Sequence, residues 1–357
     1  VDDTVPVVPV VPVVPVVPVV PVVPVVPVVP VVPNEPLVVD QNEQSVFTVV
    51  DEASNTVTIV DATGKVIGTV LSPLGSAPVR SAVADVNGDG NPDIIMVTSF
   101  GGAPIGAVVD ATGKTLMSFV TFESTFLGGS FIAAGDFNND GFADLVITPD
   151  QGGSGRVRVL SGKDGTVLAD FFGIEDPDFR GGARAAVGDI NGDGTPDLIV
   201  AAGFTGGPRI AIYDGKTLTP NGTPKKLVPD FFIFEGSLRN GVFIAVGDLN
   251  GDGFAEVIAG GGPGGGPRVF AIDGKSISNG EFKQAANFLT GDANDRNGVR
   301  IVVKDRDGDP FADLITGTDV SSSGVQLIDG SSIPTDGAPT NSMTVTLQGM
   351  NGDLFVG

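Results

Sequence analysis

Apolar and polar positions alternate along residues 80–330 with one recurring rhythm. A short apolar run, such as FIAAG or FIAVG, leads into an acidic turn. A second run, such as LIVAAG or LITG, leads into a Gly-rich turn: FGGAP (100–104), QGGSG (151–155), TGGP (205–208) or GGPGGGP (261–267). A third run ends in a D-G-K-like turn, as in VVDATGK, AIYDGK and FAIDGK. A fourth, often Phe-rich, closes the unit, as in TLMSFVTF and VLADFF. Short runs rich in Val, Ile and Phe, bounded by Gly, Asp and Pro, read as strands. Four such strands recur over roughly 50 residues, the size of a propeller blade. A solenoid is the competing architecture, but its repeats are generally shorter.

The acidic turns line up as DVNGDGNPD (85–93), DFNNDGFAD (136–144), DINGDGTPD (189–197), DLNGDGFAE (248–256) and DRDGDPFAD (305–313). Their first Asp residues lie 51, 53, 59 and 57 residues apart. The ends of the repeat region supply a further blade. Residues 45–50, 56–65 and 66–72 read as three strands, and the VDATGK shared by 60–65 and 109–114 marks them as strands two, three and four. The absent first strand is expected at the other end, where NGDLFVG (351–357) resembles NGVFIAVG (240–247). An all-β, six-bladed propeller over residues 41–357 follows, closed by strands from both termini so that no sheet edge is left free.

Residues 1–40 obey a different period. Pro recurs at every third position from Pro6 to Pro33 with Val between. Pro this dense breaks a helix and cannot donate to a β-ladder. A membrane span also fails, because lipid tolerates only backbone that satisfies its own hydrogen bonds. Polyproline II remains, with three residues per turn, so every Pro falls on one edge and Val fills the other two. An extended arm is expected here. Val at position 1 instead of Met leads to the expectation of a processed chain.

Composition narrows the chemistry. The formal charge of −23 disfavours nucleic acid and anionic membrane surfaces as partners. There is no Cys and no His, so thiol nucleophiles, most zinc sites and the commonest general base are excluded. There is no Trp to stack on sugars and only one Tyr, Tyr213.

The acidic turns have a mechanical reading as calcium loops. Hard Ca²⁺ takes six to eight oxygens. In the pattern D-x-[DN]-x-D-G-x-x-[DE], side chains at positions 1, 3, 5 and 9 and the carbonyl of position 7 supply them, and Gly at position 6 permits the turn. The first loop offers Asp85, Asn87, Asp89, Asn91 and Asp93. The second offers Asp136, Asn138, Asp140, Phe142 and Asp144, and the third Asp189, Asn191, Asp193, Thr195 and Asp197. The fourth offers Asp248, Asn250, Asp252, Phe254 and Glu256, and the fifth Asp305, Asp307, Asp309, Phe311 and Asp313. The fifth departs from the pattern: Pro310 replaces the Gly, and Asp307 adds a carboxylate. About five calcium ions are expected. Turn preference of Asp, Asn and Gly is the plainer explanation, but it does not require five turns to share one nine-residue spacing. The loops lack the bidentate Glu at position 12 and the flanking helices of an EF-hand.

Residues 80–330 resemble the FG-GAP repeats of integrin α-chain propellers and of many bacterial surface and secreted proteins. Phe100-Gly101-Gly102-Ala103-Pro104 spells the motif itself. The bacterial variant, with GGGP-type turns after the acidic loop, is the closer likeness. The resemblance implies calcium in these loops and a role in adhesion or assembly. Some related calcium propellers cleave polysaccharides. The Pro-rich arm lies outside the resemblance.

A second constellation is basic. Arg80, Arg184 and Arg300 share a register five residues before a loop Asp, and Arg156, Arg209 and Arg268 share one at the start of the third strand. Two readings stand open. One is a rim on the Gly-turn face that binds an acidic partner such as an acidic glycan. The other is ion pairing with neighbouring blades or packing over Phe. Together these features lead us to expect a non-catalytic, secreted or surface-attached propeller that adheres or self-assembles head to tail through the arm. A lectin or polysaccharide lyase is the alternative. No membrane span is expected.

Overall fold

A computed structural model describes residues 46–51, 53–317, 324–347, 350 and 354–357. The arm at 1–40 and its boundary lie outside the described residues. The described residues form six four-stranded antiparallel sheets. Blade two comprises Val79–Ala84, Asp93–Thr98, Ile105–Val109 and Thr115–Val120, and blade three Ser130–Gly135, Asp144–Pro149, Arg156–Leu160 and Val167–Phe172. Blade four comprises Ala183–Gly188, Asp197–Ala202, Arg209–Tyr213 and the short Phe231–Phe232. Blade five comprises Val242–Gly247, Glu256–Gly261, Arg268–Ile272 and Gln284–Leu289, and blade six Arg300–Lys304, Asp313–Gly317, Gly324–Ile328 and Ser342–Thr346. Among the described residues the one α-helix is the short Gly274–Ser278.

Blade one is shared between the two ends of the repeat region, as the sequence predicts. Leu354–Val356 pairs with Phe47–Asp51, with Val49 opposite Val356 and Val50 opposite Phe355. Thr56–Val60 and Val66–Leu71 complete the sheet. Gly357 and Thr48 exchange backbone hydrogen bonds of 2.8 and 2.9 Å.

The first strands of the six blades surround the axis and line a common cavity. The second strands are fully buried, as in the DIIMVT, DLVITP and DLIVAA stretches of blades two to four. The outermost strands alternate between buried and exposed positions, as expected where one face meets solvent. Apolar side chains between adjacent sheets form the core, and each fully buried Val, Ile or Leu contributes about 1.5–3 kcal/mol. Close approach of the inner strands depends on Gly135, Gly188 and Gly247. A Cβ at those positions would collide with Val187, Val246 and Val303 of the next blade.

Candidate functional site: the acidic loops and the basic channel

Each acidic loop joins the first and second strands of its blade, and a shared hydrogen-bond ladder shapes it. The position 5 amide donates to the position 3 side-chain oxygen in all five: Asp89 to Asn87, Asp140 to Asn138, Asp193 to Asn191, Asp252 to Asn250 and Asp309 to Asp307, at 2.8–3.1 Å. The position 7 amide donates to the position 5 carboxylate at 2.8–3.1 Å. In four loops the position 6 Gly amide also reaches the position 1 carboxylate, at 2.7–2.9 Å. Those glycines (Gly90, Gly141, Gly194 and Gly253) have φ between +82° and +85°, a region an L-residue rarely adopts. Pro310 has no N–H, so the fifth loop cannot make that bond. Its Asp305 accepts from Gly308 at 2.8 Å.

Position 9 is the buried pillar of the site. Asp93, Asp144, Asp197, Glu256 and Asp313 are at most 1% exposed. One oxygen of each takes the amide of the loop's second residue: Val86, Phe137, Ile190, Leu249 or Arg306, at 2.7–3.1 Å. In blades three to six the other oxygen takes the Gly amide of the turn between strands three and four: Gly162, Gly215, Gly274 or Gly330. The acidic loops and these turns therefore share one face. The Gly-rich turns meet the connections between blades on the opposite face, as where Gly101 donates to Leu127 and Gly152 to Arg180.

Burial sets the protonation of this pillar. Desolvation pushes Asp93 and Asp144 up to about 6, Asp197 to about 7 and Glu256 to about 8, and Asp313 moves the same way. Backbone N–H donors oppose the shift, and neighbouring loop carboxylates add to it. A carboxylate buried beside other carboxylates is uncompensated unless a cation joins it. The donors are all oxygens, which suits a hard divalent ion. In blade six Asp305, Asp307 and Asp313 bring carboxylate oxygens within 4.8 Å of one another, and so do Asp307, Asp309 and Asp329. The residues present thus fit a divalent cation.

Three loops also carry an internal cation that sequence inspection missed. Lys163 lies 3.8 Å from Asp140, Lys216 3.0 Å from Asp193 and Lys275 3.3 Å from Asp252. Each is the Lys of its blade's own third-to-fourth-strand turn and meets the position 5 carboxylate. Blade six has Ser331 in the corresponding place.

The six arginines divide into two groups. Arg80, Arg184 and Arg300 are 3–6% exposed and so do not form a surface rim. They alternate with Phe131, Phe243 and Phe355 around the axis. Arg80 lies over Phe131 and Phe355, Arg184 over Phe243 and Phe131, and Arg300 over Phe243 and Phe355, at 4.0–5.7 Å. Phe355 also meets Phe131 and Phe243 at 5.6 and 6.2 Å. Arg80 pairs with Asp150 at 2.6 Å, and Arg184 donates to the Val242 carbonyl at 2.9 Å. The sequence signal was available: reading down the position five residues before each loop gives Arg, Phe, Arg, Phe, Arg, with Phe355 as the sixth. The other three lie at the outer part of the blades and are paired within the chain. Arg156 meets Asp170 and Glu123, both at 2.6 Å. Arg209 meets Asp230, and Arg268 meets Asn287 and Glu235 at 2.9 and 3.2 Å. All six thus take part in ion pairs, hydrogen bonds or packing over Phe within the chain.

Tyr213 is fully buried, and its hydroxyl donates to the Gly173 carbonyl at 2.9 Å. Burial raises its pKa further. It is not placed to serve as a base. No helix among the described residues is long and apolar enough to cross a membrane.

The FG-GAP-like repeat family model matches residues 136–200 and 189–259. The integrin alpha-V of Gallus gallus is 27% identical over 165 residues, covering 41% of this chain and 16% of that protein. The integrin alpha pat-2 of Caenorhabditis briggsae is 31% identical over 166 residues, covering 37% of this chain and 14% of that protein. The chain thus spans less than a fifth of the length of these relatives. Among solved structures, a chain of the nidogen/laminin complex aligns with TM-score 0.50 at 12% identity, over 87% of this chain and 97% of that one, a likeness of fold. A rhamnogalacturonan lyase from Bacillus licheniformis aligns at TM-score 0.44 and 16% identity, over 80% of this chain and 63% of that one, too distant to bear on activity.

Proposed function

We propose, from the premise that this chain is a β-propeller built of FG-GAP-like repeats, that it is a non-catalytic extracellular module. Divalent cations, about five calcium ions, hold its loops, and it works in adhesion or self-assembly. The observation that carries the reading is the repeated loop. In each of five blades one hydrogen-bond ladder surrounds an oxygen-only donor set, and a buried position 9 acid anchors it. Such loops stiffen one face of the disc and leave its surface for contact. The similarity to integrin α chains supports an adhesive role and an extracellular setting.

Residues 1–40 serve in this reading as a connector between copies. A polyproline II rod from Pro6 to Pro36 would reach about 90 Å at ~3.1 Å per residue. Its two Val edges would gain roughly 25 cal/mol per Å² on burial against another copy. A contact of one surface on a different surface of the next copy propagates into a filament unless it closes into a ring. Sedimentation and electron microscopy of the full chain and of a variant lacking residues 1–36 test the reading. Filaments or higher oligomers that disappear on deletion support it. A full chain that stays monomeric at high concentration, or assemblies that survive deletion, would remove the connector role. No observation on the described residues favours a lectin or a lyase.

A further inference from the structure

We propose that the central channel holds a small anion at Lys304, separate from the acidic loops. The innermost strands of all six blades enclose a cavity of roughly 190 Å³. The ring of three arginines and three phenylalanines lies at the start of these strands, toward the Gly-rich turns. Lys304 lies at the far end of Arg300–Lys304, next to the acidic loops. The cavity lining includes Arg184, Arg300 and Lys304 and, among the described residues, no Asp or Glu. That is a local reversal of sign in a chain with 43 acids and 20 bases. A wall of one sign around a low-dielectric cavity concentrates counter-ions of the other sign.

The Lys304 side chain reaches past blade one to the Val83 carbonyl of blade two, at 3.3 Å. An ammonium offers three N–H donors, and among the described residues this carbonyl is its one acceptor. Asp305, the next residue, accepts the Gly308 amide inside its own loop. A half-buried ammonium held by a single long hydrogen bond is poorly compensated, and an anion in the channel supplies the missing charge. Further donors are at hand. Each innermost strand pairs with a neighbour on one side only, so its other backbone edge presents N–H groups toward the axis. Ala82, Ala133, Ala186 and Ala245 keep that part of the wall small. A cavity of this size has room for an ion of a few heavy atoms, such as sulfate or a short carboxylate.

Trifluoroacetate followed by ¹⁹F NMR is the probe, at constant ionic strength set with sodium gluconate, a bulkier anion. Saturable broadening is expected with the native chain and with K283M, which removes an exposed lysine of the same charge. Binding is expected to weaken by roughly tenfold or more in K304M and K304Q, the loss of one charge-assisted hydrogen bond. Equal binding by K304M, or no saturable binding by the native chain, would overturn the assignment. If neither Lys304 variant folds, anomalous scattering from crystals grown in bromide decides. Bromide in the channel beside Nζ supports the site, and a channel without bromide refutes it.

Discussion

The two ends of each innermost strand solve opposite problems of charge. At one end, acids crowd into exposed loops around a buried carboxyl pillar. At the other, three arginines are buried between three phenylalanines on a position that recurs once per blade. The basic end finds contacts within the chain: aromatic faces, the Val242 carbonyl and, for Arg80, Asp150. The acidic end is only partly compensated, by backbone amides and, in three blades, by a lysine. A charge brought out of water must be met by something. The difference is whether the chain supplies the partner itself or, in the function proposed above, recruits it from solution.

The largest expected effect follows from taking the recruited partner away. A cation bound only to the folded state at 1,000 times its Kd adds about 4 kcal/mol per site. Removing it from several loops should lower Tm by about 10 °C or more for a protein of this size. Calorimetry in EDTA and in calcium measures this, and an unchanged Tm would mean that the loops are ordinary turns. The basic ring should not respond to calcium. Arg184→Ala leaves the Val242 carbonyl and two aromatic faces without their partner and should cost about 3 kcal/mol. That loss should be the same with and without calcium, whereas Asp193→Ala should matter chiefly when calcium is present. If the calcium dependence of the two variants is the same, the contrast between the ends is lost.

A smaller effect separates the ends by pH. In cation-free protein the position 9 acids have raised pKa values, about 6 for Asp93 and Asp144, 7 for Asp197 and 8 for Glu256. The unfolded chain releases these protons near pH 4, while the folded chain still holds them. Stability therefore falls as pH rises, starting near the unfolded values and finishing above about 8. Calcium binds the deprotonated form and should flatten the slope. Urea midpoints at pH 5 and pH 8, with and without calcium, measure both slopes. A cation-free protein that gains stability across this range would show that these acids are ionised throughout.

The acidic end was legible in the sequence because its chemistry is local. Nine consecutive residues hold the whole ladder, so Asp85 to Asp93 could be recognised without knowing the fold. The closure of blade one was legible too, since NGDLFVG repeats the pattern of NGVFIAVG. The ring at the basic end was not. Arg80 and Phe131, which touch, are one full repeat apart, and the alternation emerges only when the blades are set side by side. The arginine register was visible, but exposure and burial of an Arg look alike in sequence because its stem is apolar and its head charged. The loop lysines were missed because their partners are distant in sequence. Lys275 meets Asp252 across two strands, 23 residues away.

Those lysines give the smallest effect and the finest division within the acidic end. In blade five, Asp252 accepts the Phe254 amide at Oδ1 and the Lys275 ammonium at Oδ2. A cation that uses Oδ2 must displace the ammonium. In blade six the lysine is replaced by Ser331, and Asp329 joins Asp307 and Asp309 instead. The loops should therefore not fill equally, and loops 85–93 and 305–313, whose position 5 carboxylates pair with no lysine among the described residues, should take up calcium with the least internal competition. Lys275→Met should raise calcium affinity about threefold, a modest change because both side chains remain partly exposed and salt screens the pair. Ser331→Lys should lower affinity by a similar factor. Isothermal titration of both variants against the native chain measures the shifts, and low salt should enlarge them. If neither variant changes affinity, the ammonium groups leave without cost, and the loops would fill without regard to which of them carry a lysine.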